Sequence, residues 1–377
     1  MGDGAFVELK EKSKTIMLKL VIDDKIPFIR GEAERLGRVV YRSGKAISAQ
    51  DVVDADALIV RTRTLCNRQL LEGSRVKFIA TATIGYDHLD APWLASAGIG
   101  WCNCPGCNAT SVAQYVESCL LLAEAAGLVS IGPDTTIGIV GVGHVGSAVA
   151  RMAQRLGLKL LLCDPPRLKG RGGVVDGEPA ARGLTHTQCQ ATLDDVARQA
   201  DIITLHTPLT RLGEDATFHL CDERFFGQLA RHPLLINAAR GEVVDTEAVL
   251  KALDRQLIAA VAIDTWEHEP DINRELLERA WMATPHIAGY SADGKALGTQ
   301  MALNAVARHF GIDETFSIVP PSVEAGFKYF KEAPDRLADR WPALALYDPR
   351  RDSLALKSSP ASFEQLRGNY PLRRETF

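Results

Sequence analysis

The sequence predicts an α/β protein made of two doubly wound parallel-sheet domains and a small C-terminal segment, and three observations carry that expectation. Short apolar runs alternate with segments whose apolar residues recur three and four apart. The alternation occurs twice, on either side of one long helical segment, as parallel sheets covered on both faces require. A glycine fingerprint follows the strand that opens the second round. A chain of 377 residues has room for two or three domains.

Taken in order, LKLVI (18–22), ADALIV (55–60), VKFIAT (76–81) and IGWC (99–102) read as strands, with FIRGEAERLG and NRQLLEG as helices between them. SVAQYVESCLLLAEAAG (111–127) is the long helical segment, able to carry the chain from one domain to the next. TIGIVG (136–141), LKLLLC (158–163), DIITLH (201–206), LLINA (234–238) and IAAVAID (258–264) are the strands of the second domain. Residues 168–187, rich in glycine and charge without a period, read as a surface loop. Beyond Phe310 the pattern weakens into a linker and a basic tail short of apolar residues, which is expected to pack on a partner subunit.

Composition narrows the function. With 46% apolar and 24% charged residues and a net charge of −4, the chain has material for buried sheets and no electrostatic case for nucleic acid. Its longest apolar stretch, SCLLLAEAAGLVSIG, contains Glu124 and falls short of the roughly 20 residues that cross a bilayer. Residues 1–16 lack the apolar core of a secretion signal and read as a polar extension, so the protein is expected in the cytoplasm. Eight scattered cysteines fit reduced thiols there. Only Cys102, Cys104 and Cys107 cluster, and without a fourth ligand at matching spacing they read as a strand end and turn, so no metal is expected.

GVGHVG carries the cofactor. Gly141, Gly143, His144, Val145 and Gly146 match G-x-G-x-x-G between a strand and an amphipathic helix, the Rossmann-like arrangement that brings backbone N–H groups to a pyrophosphate at a helix N-terminus. The next strand ends in Asp164, whose carboxylate can accept from the adenine ribose hydroxyls and would repel a 2′-phosphate. That favours NAD over NADP, with Arg167 as the countervailing feature.

Three polar residues follow where later apolar strands end: Arg240, Glu269 and His286. The carboxyl ends of strands line the ligand crevice of such sheets. Oxidising a secondary alcohol needs a base for the hydroxyl proton, a cation to clamp a carboxylate and polarise the forming carbonyl, and an anion to hold the protonated base. A histidine, an arginine and a glutamate are that set.

GVGHVG, HTPLT, INAARGEVVD, DTWEHEP and TPHIAG together resemble the D-isomer-specific 2-hydroxyacid dehydrogenase family over roughly residues 17–315. The resemblance implies Arg240, Glu269 and His286 as the catalytic triad. It places His206, Thr207, Ala238, Ala239 and Gly289 along the cofactor and Asp264 at the nicotinamide carboxamide. It also implies a discontinuous substrate domain (17–110 and 288–314) separated by a cleft from the NAD-binding domain (111–287), with 315–377 as a dimerisation segment. FIATATIGYDHLD, LLCDPPR, HIAGY, YDPRRD and FEQLRGNYPLRRE resemble a branch acting on a phosphorylated hydroxy acid. By that likeness Thr62, Thr83 and Tyr290 bind substrate, Arg61 and Arg63 are candidates for its phosphate, and Arg350 and Arg351 are candidates from across a dimer. Other D-2-hydroxy acids stay open as substrates, as does a non-catalytic NAD-sensing scaffold.

Overall fold

Five short strands, β1 (Leu18–Asp23), β2 (Gly37–Arg42), β3 (Ala57–Val60), β4 (Phe78–Thr81) and β5 (Gly100–Cys102), form an all-parallel sheet in the order β2-β1-β3-β4-β5. The computed structural model describes residues 17–170, 189–321, 341–371 and 373–375; the N-terminal extension and most of the surface loop expected at 168–187 lie outside them. Every residue of β3 and β4 is buried, which is why both read as unbroken apolar runs. The chain steps to one side for β2 and back across β1 for β3, so the order reverses between β1 and β3. Asp23 ends β1 and Arg61 follows β3, at the switch point where such sheets bind ligands.

Two departures from the sequence reading fall in this sheet. β2, GRVVYR, is half-exposed along its length and carries Arg38 and Arg42 on its exposed positions, so it lacks the buried-strand signal. FIRGEAERLG, read as a helix, makes only the 3₁₀ turn Ala33–Arg35. Phe28 and Gly31 adopt φ of 60° and 88°, which a right-handed helix cannot contain.

The second sheet holds β6 (Thr136–Val140), β7 (Lys159–Cys163), β8 (Ile202–Leu205), β9 (Leu234–Asn237), β10 (Ala260–Ile263) and β11 (Met282–Ala283), all parallel, in the order β11-β10-β9-β8-β6-β7. The order reverses at β6, whose carboxyl end carries the glycine turn. Cores lie on both faces. Ile137 and Ile139 pack with the helices Ala109–Ala125 and His144–Arg155 on one side, and Val140, Ile203, Leu235 and Val261 pack with Val249 and Leu276 on the other. β11 is too short to show a period of its own.

The two sheets belong to two compact units, one drawn from Met1–Cys104 and Gly298–Ile318, the other from Pro105–Leu297 and Val319–Phe377. The described part of the tail packs on its own chain. Helices Pro342–Leu346, Arg350–Ser358 and Phe363–Gly368 bury Leu344, Tyr347, Leu356 and Phe363 in the two cores of the second unit. The Ser353 hydroxyl accepts the Ala283 N–H at 3.0 Å, closing the open edge of β11. A few fully buried anchors suffice where the rest of the segment is polar. Among the described residues, no helix is long and apolar enough to cross a membrane.

Candidate active site

The glycine turn is built by close approach. Gly141 has φ of 87°, and a Cβ there would sit 2.7–2.8 Å from the His206 carbonyl and the Thr207 nitrogen. A Cβ on Gly146 would lie 2.0 Å from the Gly141 oxygen, so only glycine lets the helix His144–Arg155 start this close to the strand end. Gly143, the residue before that helix, has nothing within 4 Å of its would-be side chain. Tight packing behind the turn and open space in front, with His144 and Val145 in the first helical turn, suit a pyrophosphate.

Asp164 caps the short helix Pro165–Leu168, accepting the Arg167 N–H at 3.1 Å, and also accepts the Val142 N–H at 2.8 Å. One carboxylate thus ties the glycine turn to the end of β7 and keeps further lone pairs for ribose hydroxyls. Arg167, the feature that counted against NAD, has its Nε 3.7 Å from this same carboxylate. Nearby, the buried Thr207 hydroxyl has no partner among the described residues, and a bound dinucleotide can supply one. Burial pushes His206 down to about 3, so its ring is neutral, with Nε2 2.9 Å from the Thr204 hydroxyl. Ala238 and Ala239 follow β9, where the Ala239 N–H donates to the Asn237 side chain at 3.1 Å. At Gly289 a Cβ would sit 2.1 Å from the Asn108 amide.

Asp264 follows β10 with 1% exposure, and its carboxylate accepts from the Thr284 hydroxyl at 2.7 Å, the Ile287 N–H at 2.7 Å and the Ala288 N–H at 2.9 Å. Burial raises its pKa against these bonds. Most of its acceptor capacity therefore holds the segment carrying His286, a positioning role that the sequence reading, which placed Asp264 at the carboxamide, did not foresee. His286 sits at φ of 56°, and its own N–H donates to the Asp264 carbonyl at 2.8 Å.

The imidazole Nδ1 lies 2.8 Å from Oε2 and 3.1 Å from Oε1 of Glu269. Burial by itself would raise the Glu269 pKa; the His286 charge and hydrogen bond, the Trp266 N–H at 3.0 Å and Arg367 bring it below its ordinary value. An ionised carboxylate against Nδ1 fixes the proton there and leaves Nε2 as the acceptor, the tautomer a general base needs. Arg240 follows the neighbouring β9, its Nη1 donating to the Ala239 carbonyl at 2.8 Å. A Cβ on Gly241 would fall 1.9 Å from the Trp266 carbonyl, so that glycine seats the arginine's turn directly against the stretch leading to Glu269.

Of the residues read as substrate-binding, Thr62 is exposed in the turn after β3. The Thr83 hydroxyl donates to the Gly85 carbonyl at 3.0 Å and lies 2.7 Å from the Thr81 hydroxyl, which is 3.0 Å from Nε2 of buried His88. Tyr290 lies under Lys295, whose Nζ is 3.9 Å from the ring centre. Two arginine candidates are held by acids. Arg61 forks onto buried Asp23 at 3.0 and 3.3 Å, and Arg350 onto Asp348 at 2.9 and 3.0 Å. Of the clustered cysteines, Cys102 ends β5, and Cys104 Sγ lies 3.3 Å from the Thr81 carbonyl.

The sequence reading missed two tail arginines. Arg373, 1% exposed, donates to the carbonyls of Ile287 (3.1 Å), Ala288 (2.6 Å), Tyr290 (3.1 Å) and Ser111 (3.2 Å), so the tail clasps the segment after His286. Arg367 places Nη1 3.6 Å from Glu269 Oε2. The stretch FEQLRGNYPLRRE was the available signal, but a basic run in an apolar-poor tail looks like a solvated face.

Comparison with known proteins decides the family. Residues 129–288 match the NAD binding domain of the D-isomer specific 2-hydroxyacid dehydrogenases. The chain is 49% identical over 360 residues to an erythronate-4-phosphate dehydrogenase of Bacteroides thetaiotaomicron, spanning 95% of this chain and 97% of that one. The chain belongs to the D-isomer-specific 2-hydroxyacid dehydrogenases. Like them it is an NAD-dependent oxidoreductase, and the glycine turn with Asp164 and Thr207 fits that cofactor. An erythronate-4-phosphate dehydrogenase of Escherichia coli is 40% identical over 95% of this dehydrogenase and 92% of its own length. Among solved structures, the D-lactate dehydrogenase of Aquifex aeolicus, complexed with NAD and lactic acid, shares the fold at a TM-score of 0.61 with 24% identity, covering 78% of this chain and 96% of its own.

Proposed function

We propose that this dehydrogenase oxidises 4-phospho-D-erythronate at C2 to (R)-3-hydroxy-2-oxo-4-phosphooxybutanoate, a step in pyridoxal 5′-phosphate formation. The observation that carries the reading is the Glu269–His286 pair, set in a chain whose likeness to erythronate-4-phosphate dehydrogenases runs through the tail as well as the cofactor domain. Bound NAD supplies the hydride acceptor. His286 Nε2 takes the hydroxyl proton while Glu269 holds the resulting imidazolium. Arg240 clamps the substrate carboxylate with its planar fork and polarises the forming carbonyl. Thr62, Thr83 and Tyr290 are the remaining substrate residues in this reading, and Asp264 keeps the histidine segment in place.

The same reading assigns residues 17–110 and 288–314 to substrate, 111–287 to NAD and 315–377 to a homodimer contact, in a cytoplasmic protein. Because the base must be neutral to accept a proton, oxidation slows as pH falls. The test is an NADH-formation screen of 4-phosphoerythronate against 3-phosphoglycerate, glycerate and other unphosphorylated hydroxy acids. A preference for 4-phosphoerythronate of about a hundredfold or more in kcat/KM, on the order of 3 kcal/mol in transition-state binding, is expected. Equal or better use of another acid overturns the substrate, and absence of NADH with every acid overturns the activity.

A further inference from the structure

The C-terminal helix reaches the catalytic pair, and the groups around it have a definite order. Glu269 Oε2, the oxygen that holds His286 Nδ1 at 2.8 Å, is also the oxygen 3.6 Å from Arg367 Nη1. Arg367 stands on Phe363–Gly368, anchored by fully buried Phe363, and hydrogen-bonds with Tyr290. Its buried Nε has no partner among the described residues. The groups facing Glu269 are the His286 ring, the Trp266 N–H and this guanidinium; Arg367 is faced in turn by Tyr290, Glu269 and the more deeply buried Asp264. One carboxylate is thus shared by two cations, one of which must gain and lose a proton in every turnover.

We propose that Arg367 is a positioning residue of the proton-transfer pair, acting through Glu269: it offsets part of the carboxylate charge, so that His286 is held in place without being held protonated. The inference rests on the triad assigned above. An unshared carboxylate stabilises the imidazolium more strongly, and a protonated His286 cannot act as base. Removing the Arg367 charge therefore keeps the base protonated to higher pH. The acid limb of the oxidation moves up, and the reverse reduction, which needs the imidazolium, persists to higher pH as well.

The experiment compares the parent with Arg367→Gln, Arg367→Met and Arg367→Lys as full chains, recording kcat and KM against pH in both directions, with thermal melting and NAD binding as checks of the fold. The expected result for the two neutral variants is an upward shift of the acid limb by about half to one pH unit, with KM for 4-phosphoerythronate within about twofold of the parent. Arg367→Lys returns the limb most of the way. In a Glu269→Gln background, Arg367→Gln produces no further shift, because the carboxylate it acts through is gone. An unmoved limb overturns the proposal. So does a KM increase of about tenfold without a limb shift, which makes Arg367 a substrate ligand, or failure of both neutral variants to fold, which makes it a structural residue. His286→Ala is run beside them: near-parent turnover there refutes the triad itself, a failure distinguishable from the others.

Discussion

The chain passes through threonine and glycine to a tyrosine at two strand ends, after β4 in TATIGY and after β11 in TPHIAGY, and the two ends are built on different chemistry. After β4 the polar groups are neutral. Thr83 donates to the Gly85 carbonyl, so the proton between Thr81 and Thr83 must come from Thr81, and His88 Nε2 must donate to Thr81 in turn. After β11 the polar groups are ionic: a carboxylate on His286 Nδ1, a buried aspartate beneath the backbone, and two tail arginines around them. A neutral chain can orient a hydroxyl, and only the ionic end can move a proton. In the proposed reading, the same texture of residues serves binding in one place and acid–base chemistry in the other because their neighbours differ.

The largest effect breaks the comparison at its ionic end. His286→Ala is expected to lower kcat for oxidation by about 10²–10⁴-fold, leaving NAD affinity near the parent value, since in the proposed mechanism the ring acts on the substrate hydroxyl. Single-turnover NADH formation with a parallel NAD titration checks it, and retained turnover would overturn the division. Asp264→Asn comes next. The carboxylate is acceptor-only toward Thr284 and the N–H groups of Ile287 and Ala288, so an amide must point its own N–H₂ at a donor. A cost of about 1–3 kcal/mol, which corresponds to roughly 5- to 150-fold in kcat if the histidine segment shifts, is expected. A variant with parent kcat and parent stability would show that Asp264 does not position that segment.

Asp164 sharpens the cofactor side of the molecule. Asp164→Ser removes the carboxylate that holds the Val142 and Arg167 N–H groups and lies near the Arg167 side chain. KM for NAD is expected to rise about tenfold, and the NAD-over-NADP preference to narrow by a similar factor as Arg167 becomes available to a 2′-phosphate. Initial rates with both cofactors check it, and an unchanged preference would remove Asp164 from cofactor choice.

How much of this the sequence disclosed follows from which contacts are local. The β-α alternation, the glycine turn, Asp164 and the Glu269–His286 pair are readable because each lies at a strand end, where a polar residue interrupts an apolar run. β2 escaped because it is an edge strand with basic residues on its exposed positions. Arg373 and Arg367 escaped for another reason: their partners lie far earlier in the sequence, 83 to 262 positions for the carbonyls Arg373 gathers and 98 for Glu269 beside Arg367. A guanidinium that buries itself by gathering carbonyls looks, in one dimension, like any solvated charge. Arg61 and Arg350 are the converse, arginines beside promising motifs that Asp23 and Asp348 had already engaged.

The smallest expected effect tests the neutral end. Thr81 is fully buried and joins His88 to Thr83, so Thr81→Val keeps the shape and removes the middle of the chain. The His88 ring, whose pKa burial lowers, then has a buried Nε2–H with nothing to receive it, in addition to the Nδ1 that already lacks a partner. A loss of about 1–3 kcal/mol of stability is expected from that unsatisfied donor. Thr83 loses the bond that holds its hydroxyl acceptor side, and KM for the hydroxy acid should rise a few fold with kcat close to the parent's, since no group at this strand end transfers a proton. Urea unfolding and a KM-against-kcat comparison read the two consequences separately. A fall in kcat with KM unchanged would mean that the neutral chain does more than orient, and the distinction between the two strand ends would then fail.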